Sequence, residues 1–269
     1  MTADEIPLAG GNASLGVVRV GDTVRKPWTA AAPAVAAFTE WVGEHGVDVP
    51  RPLGRDEQGR QVSEFVAGAL AMDSDRLDLD DLARVGRLVR RIHDAAAAFT
   101  PPPEAEWDVL IPVPDADLVC HNDLAPWNLI VGERWVFIDW DGAGPSTRLW
   151  DLAYAAQAFT LNDVTEPAAE AAIRLAAFVD GYHPDGALRA DLPRTLGERT
   201  AAMRTLLRTA YGTGREPWGT MYVEGHGEHW RAATEYVTAH EEVWRRALQD
   251  DAAQTTLTDA GKDTCGRER

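Results

Sequence analysis

Residues 118 to 141 read LVCHNDLAPWNLIVGERWVFIDWD and place His121, Asp123 and Asn128 in a His-x-Asp-x4-Asn array, with Asp139 following in Ile138-Asp139-Trp140-Asp141. One carboxylate in such a set can align an attacking hydroxyl. An amide and a second carboxylate can hold a divalent cation on phosphates, and phosphoryl transfer asks a protein mainly for that positioning and charge stabilisation. An isolated His-Asn-Asp is an ordinary turn, because Asn and Asp bond their own backbone well. The spacing to Asn128, and the acid that closes the next apolar run, favour chemistry over coincidence. His121 reads as a structural residue bonding the loop backbone rather than as a proton carrier.

The surrounding pattern supplies the elements that would hold these groups. Leu118-Val119-Cys120 is a short apolar run, and Leu129 to Val131 and Trp135 to Ile138 are two more, separated by Gly132-Glu133-Arg134. This is the pattern of a strand, a polar loop and a hairpin. Asp123 and Asn128 then sit on a loop pinned at both ends, and Asp139 sits where the second hairpin strand stops, so separate segments can converge on one cation.

The segment resembles the catalytic and metal-binding loops of the aminoglycoside phosphotransferase family, small-molecule kinases with a protein-kinase-like fold. The resemblance is specific in the motif pair and extends more weakly over most of residues 10 to 160. It implies an α+β, bilobal fold, with a small N-terminal antiparallel sheet lobe and a larger, mainly helical C-terminal lobe. The expected division is 1–68 for the nucleotide-binding lobe, 69–250 for the catalytic and acceptor-binding lobe, and 251–269 for a polar, mobile tail. Asp123 then corresponds to the catalytic base, Asn128 to a metal ligand and Asp139 to the main metal ligand. Asp151, in Arg148-Leu149-Trp150-Asp151, corresponds to an acid that braces the catalytic loop from the start of the next helix. ATP or GTP and Mg2+ are the implied cofactors.

Upstream, Val17 to Val20 and Thr23 to Lys26 flank a Gly21-Asp22 turn, a good hairpin signal. The Gly10-Gly11-Asn12-Ala13-Ser14 bend could bring backbone amides to phosphates, although adjacent glycines by themselves mark only a turn. The second hairpin strand should carry a cation toward the phosphates, and alternation lets only one of Arg25 and Lys26 point inward. The resemblance favours Arg25, with Val24 packed into the lobe core. Residues 30 to 45 read as a helix with Val35, Phe38, Trp41 and Val42 on one face. The family's helix offers a Glu to the strand cation; here Glu40 and Glu44 fall on the opposite face. Gln61 to Gly68 resembles the strand and hinge between lobes, with the backbone of Glu64 and Val66 meeting the adenine edge and Phe65 turned into the core.

Charge is the loudest compositional signal: 26 Lys and Arg against 43 Asp and Glu give a formal net charge of −17 in 269 residues. Such a chain repels nucleic acid and anionic lipid, and would favour a cationic or neutral acceptor; the acidity serves solubility equally well. Two cysteines, Cys120 and Cys265, make no disulfide framework. The start, MTADEIPLAGG, has no apolar signal region, and no run has the length of a membrane span, so a cytoplasmic location is expected.

Helical spacing continues through 78–99, 152–159, 167–182, 192–209 and 227–250. Glu224, Glu228, Asp163 and Glu166 fall in the C-terminal part that builds the acceptor pocket in the family, and are the acids expected to hold amines. His226 and His229 beside them lack a recognised metal spacing and read as a helix start. The expected activity is phosphorylation of a small-molecule hydroxyl, with an aminoglycoside or other cationic antibiotic as one acceptor class and a metabolic alcohol such as choline or homoserine as another. A nucleotide-binding module without turnover is the rival. Thiol chemistry at Cys120 and His121 is disfavoured because neighbours on a strand face opposite ways.

Overall fold

The computed structural model describes residues 5–8 and 16–249. The Gly10 to Ser14 bend, Cys265 and the 251–269 tail lie outside them. The N-terminal lobe is a five-stranded antiparallel sheet of β1 (Ile6–Pro7), β2 (Val18–Val20), β3 (Thr23–Lys26), β4 (Pro52–Arg55) and β5 (Gln61–Glu64), in the order β1-β2-β3-β5-β4. The β2–β3 hairpin turns at Gly21, whose φ of +59° suits a residue without Cβ. β3 pairs with β5 so that Thr23 faces Glu64 and Lys26 faces Gln61. Helix α1 (Ala32–Glu44) buries Val35, Phe38 and Val42 and leaves Glu40 and Glu44 exposed.

The larger lobe is mainly helical. Strand β6 (Ala69–Leu70) leads into α2 (Leu79–Ala96), whose start is fixed by a capping box between Asp78 and Asp81. Strand β7 (Leu118–Cys120) pairs antiparallel with β10 (Gly144–Ser146), while the hairpin of β8 (Leu129–Val131) and β9 (Val136–Phe137) pairs with β6. Thr147 caps α3 (Arg148–Thr160) by accepting the Trp150 amide at 3.2 Å. α4 (Ala168–Tyr182) crosses α2 at a pair of glycines. A Cβ on Gly181 would lie 2.1 Å from the Ala83 carbonyl oxygen, and one on Gly86 would lie 2.1 Å from that of Phe178.

Two helices depart from the sequence expectation. The helix expected over 192–209 begins earlier, as α5 (Gly186–Thr213), with Asp185 capping Leu188 and Pro193 buried inside it. The helix expected over 227–250 is two, α7 (Gly227–Ala239) and α8 (Glu241–Ala247), following the short α6 (Trp218–Met221). The break falls at His240, φ −109° and ψ 17°. It lets Trp230 pack beside Tyr154 and Leu207 in one cluster while Trp244 enters the main core with Phe178 and Leu82. No described helix is long and apolar enough to cross a membrane.

Candidate active site

A cleft of about 390 Å³ separates the sheet and α1 from the β6–β8–β9 side of the larger lobe. Lys26, Glu64 and Val66 line it from one side, and Asn128, Asp139 and Asp141 from the other. Of the residues singled out by spacing, Asn128 and Asp139 line it, and Asp123 joins them through Asn128. Asn128 donates its amide nitrogen to Asp123 Oδ2 at 2.7 Å and to the Asp123 carbonyl at 3.0 Å. Both bonds use nitrogen, so the amide oxygen is the atom Asn128 can offer a cation. The Ile138 amide donates to the Asn128 carbonyl at 2.8 Å, which clamps the hairpin's end to the loop and sets Asp139 beside it. Asp139 has φ +61°, a left-handed conformation that Asp tolerates better than most residues.

His121 is fully buried and neutral. Burial lowers its pKa; Nε2–H donates to the Ile138 carbonyl at 3.2 Å and Nδ1 accepts the Asp123 amide at 3.3 Å. It ties together the two backbone segments that carry Asp123 and Asp139. Asp151 is equally buried and accepts the Asn122 amide at 2.9 Å through Oδ1. Its Oδ2 accepts from His93 Nε2 at 3.0 Å, and His93 Nδ1 meets the Tyr182 hydroxyl at 2.9 Å. His93, Cys120 and Asp151 come close enough to share an ion, but hydrogen bonds already occupy His93 and Asp151. The Cys120 thiol is fully buried, and that burial pushes its pKa well up, so it is no nucleophile.

The β3 cation that lines the cleft is Lys26; Arg25, favoured by the resemblance, does not line it. Lys26 Nζ pairs with Asp139 and lies 3.0 Å from Asp141 Oδ2, whereas Arg25 turns away to Asp56 at 3.3 Å and Thr23. The reason is which face of the sheet roofs the cleft: Val24 and Lys26 both line it, so alternation sends Arg25 to the other face. Burial works against the Lys26 ammonium, but the charges of Asp139 and Asp141 outweigh it and raise its pKa. On α1 the cleft face offers Ala32, Val35, Ala36 and Thr39 and no acid. Asp141, to which Gln61 also donates at 3.3 Å, is the second carboxylate that partners the lysine.

Where β5 ends, the Glu64 carboxylate is engaged by Arg134 at 2.6 Å and by Arg51, and its backbone N–H donates to the Arg51 carbonyl at 2.9 Å; the residue lines the cleft. Val66 is the buried side chain there, packed with Ile130 and Val136. Phe65, expected in the core, is half-buried instead, with the Arg19 guanidinium 3.8 Å above its ring.

Asp123 Oδ1 accepts the Tyr154 hydroxyl at 2.8 Å. Burial raises the pKa of Asp123, while Tyr154, His121 and Asn128 pull it back. Among the acids expected to hold amines, Glu166 is paired with Arg76, Glu228 with Arg231 at 2.6 Å, and Asp163 accepts the Thr165 hydroxyl at 2.7 Å. Glu224 is exposed on the turn before α7. Beside the catalytic loop lie Trp127, Tyr154, Trp230 and Met203. Tyr154 has a sequence signal, since three positions after Asp151 in a helix places both on one face. Arg199, discussed below, had none.

Residues 103–192 match the phosphotransferase enzyme family. The trifolitoxin immunity protein of Rhizobium leguminosarum bv. trifolii is 29% identical over 159 residues, 56% of this chain and 60% of that protein. The chain thus spans about 60% of the length of this curated relative. Three solved structures share the fold. An amicoumacin kinase in complex with AMP-PNP, Ca2+ and Ami superposes with a TM-score of 0.61 at 13% identity over 88% of each chain. A microcompartment-associated aminopropanol kinase gives 0.59 at 17% identity over 96% of this chain and 94% of its own. A choline/ethanolamine kinase family protein from Mesorhizobium loti gives 0.58 at 17% identity over 91% and 93%.

Proposed function

We propose that this chain, which has the phosphotransferase/kinase-like fold of the aminoglycoside phosphotransferase superfamily, moves the γ-phosphate of ATP or GTP to a hydroxyl of a small molecule. The observation that carries the reading is that Lys26, Asn128 and Asp139 line one cleft while Asp123 is hydrogen-bonded to Asn128 beside it.

The donors available to a metal there, the carboxylates of Asp139 and Asp141 and the amide oxygen of Asn128, are all oxygen, the set a hard cation such as Mg2+ takes. Mg2+ on the phosphates would neutralise their charge. Lys26 holds the phosphate end of the nucleotide, and the backbone at Glu64 and Val66 receives the base. Asp123 aligns the acceptor hydroxyl. As the acceptor oxygen bonds to the γ-phosphorus and the bond from phosphorus to the bridging β,γ-oxygen breaks, Asp123 takes the hydroxyl proton and the nucleoside diphosphate leaves. A carboxylate is too weak a base to ionise an alcohol beforehand, so its proton transfer belongs late, in a loose transition state.

The acceptor is a small alcohol, neutral or carrying few cationic groups. Glu166 and Glu228 are already paired with Arg76 and Arg231, and the side chains packed beside the Asp123 loop are largely aromatic. The names of the similar kinases, for amicoumacin, choline/ethanolamine and aminopropanol, support a small molecule as the class. A screen of metabolic alcohols and aminoglycosides, read by release of nucleoside diphosphate, identifies it. Asp123→Ala should lower kcat by roughly 10²- to 10⁴-fold, the usual contribution of a positioned base, while nucleotide binding persists. Undiminished turnover in that variant would remove Asp123 from the mechanism.

A further inference from the structure

Asp123 is held by more than the family motif supplies. Tyr154 is buried on α3 and donates its hydroxyl to Asp123 Oδ1 at 2.8 Å. The Arg199 guanidinium lies 4.3 Å from the centre of the Tyr154 ring and 5.6 Å from that of Trp150, and Trp230 stacks on Tyr154 at 6.3 Å. Arg199 comes from the middle of α5, is 4% exposed, and reaches the Asn122 carbonyl at 3.5 Å with Nη2; Nε and Nη1 have no hydrogen-bond partner among the described residues.

A buried arginine left with two nitrogens unpaired is expensive to keep for packing alone, and an apolar side chain would fill that space more cheaply. What the guanidinium does provide is a positive charge against the face of the ring whose hydroxyl meets Asp123. A cation over an aromatic face is attractive in a dry site. It also polarises the phenol toward donation. The charged and titratable groups around Asp123 are Tyr154 on α3, Arg199 on α5, His121 in its own loop, Asp139 after β9 and Asp151 at the start of α3. Arg199 is the buried cation among them.

We infer that Tyr154 is a positioning residue for the base, resting on the reading of Asp123 given above: its hydroxyl keeps Oδ1, Oδ2 is the oxygen that meets the acceptor hydroxyl, and Arg199 acts through Tyr154 by fixing its ring. The geometry divides the carboxylate's work. Oδ1 points into the lobe and is taken by a buried phenol. Among the described residues, Oδ2 carries only the Asn128 amide, and a carboxylate oxygen can accept a second hydrogen bond. Without Tyr154 the carboxylate could rotate and offer either oxygen, or neither, to the acceptor. A misplacement of that kind acts on kcat and leaves nucleotide binding alone.

The test uses the full chain with Tyr154→Phe, Arg199→Lys and the double variant, each checked for folding by its Tm. For Tyr154→Phe, kcat should fall roughly 10- to 100-fold, the worth of one hydrogen bond to a charged group, with KM for ATP within about twofold. The double variant should be no slower than Tyr154→Phe, because residues acting through one contact do not add. Crystal structures of the wild type and Tyr154→Phe should show the Asp123 carboxylate rotated in the variant. Unchanged kcat, an unmoved carboxylate, or additive losses in the double variant would each overturn the inference. So would equal losses in kcat and in ATP affinity, which mark general loosening. If Tyr154→Phe does not fold, Arg199→Lys must shift the Asp123 carboxylate on its own for the inference to stand. Should the wild type phosphorylate nothing, the kinase reading fails, and the carboxylate orientation still decides this one.

Discussion

Lys26 carries a heavier demand than a β3 cation usually does, because its partners are also the groups that would face the metal. Asp139 and Asp141 both engage it, and no α1 side chain shares the task. If Asp139 serves a metal as proposed, Asp141, which Gln61 also contacts, would be the carboxylate left to hold the ammonium. Lys26→Met should therefore raise KM for ATP roughly 10- to 100-fold, as expected for losing one charge-assisted hydrogen bond, with Arg25→Met near wild type. A nucleotide titration of both variants separates the two basic residues; equal losses would contradict the assignment to Lys26. The sequence could name Asp123, Asn128 and Asp139 because spacing along one loop and one hairpin encodes their meeting. It could not choose between Arg25 and Lys26, since alternation fixes that they differ but not which face roofs the cleft. The pairing of Tyr154 with Arg199 is likewise a product of α3 packing on α5, across a long stretch of chain.

At the scale of elements, the loop that carries Asp123 is only as fixed as the helices beneath it, and α2 and α4 touch backbone to backbone. Gly181→Ala places a Cβ 2.1 Å from the Ala83 carbonyl oxygen, where neither main chain can give way easily. The variant should lose roughly 1–3 kcal/mol of stability, as overpacked sites do, measurable by urea unfolding. Gly186→Ala meets no atom within 4 Å and serves as the control. The helices themselves were legible from apolar periodicity, and the hairpin from Gly21-Asp22. The break at His240 was not, because Trp230, Val237 and Trp244 fit one helical stripe on paper while serving two clusters in space. Arg134 joins elements too: it reaches from the β8–β9 turn to Glu64 on β5 and Asp48 before β4. Burial works against the Glu64 carboxylate, but Arg134 and Arg51 outweigh it and hold its pKa below the ordinary value; the Arg134 hydrogen bond does the same for Asp48. For carboxylates depressed in this way the stabilisation is complete above their unfolded pKa and drains as pH falls through the folded one. Arg134→Leu should cost at most about 1 kcal/mol, given its partial exposure, and the Tm gap to wild type should close as the solution is taken below the carboxylate range. A gap that stays constant into acid would assign the loss to packing instead.

The whole molecule carries a net charge of −17, and that field bears on which acceptor it takes. A negative protein draws cations and repels anions over distances set by the Debye length, roughly 30 Å at 0.01 M salt and 8 Å at 0.15 M. The proposed nucleotide is an anion, so a net negative protein opposes its approach at long range, and added salt should ease it: KM for Mg-nucleotide should fall as ionic strength rises through that range. The acceptor responds according to its own charge. For a cationic alcohol, kcat/KM should drop several-fold over the same range as steering is screened; for a neutral alcohol it should stay flat. Measuring both substrates at two salt concentrations with whichever acceptors support turnover thus reads the acceptor's class from kinetics. An acceptor carrying several amines that showed no salt dependence would mean that the acidic surface lies away from the cleft and that acidity serves solubility alone.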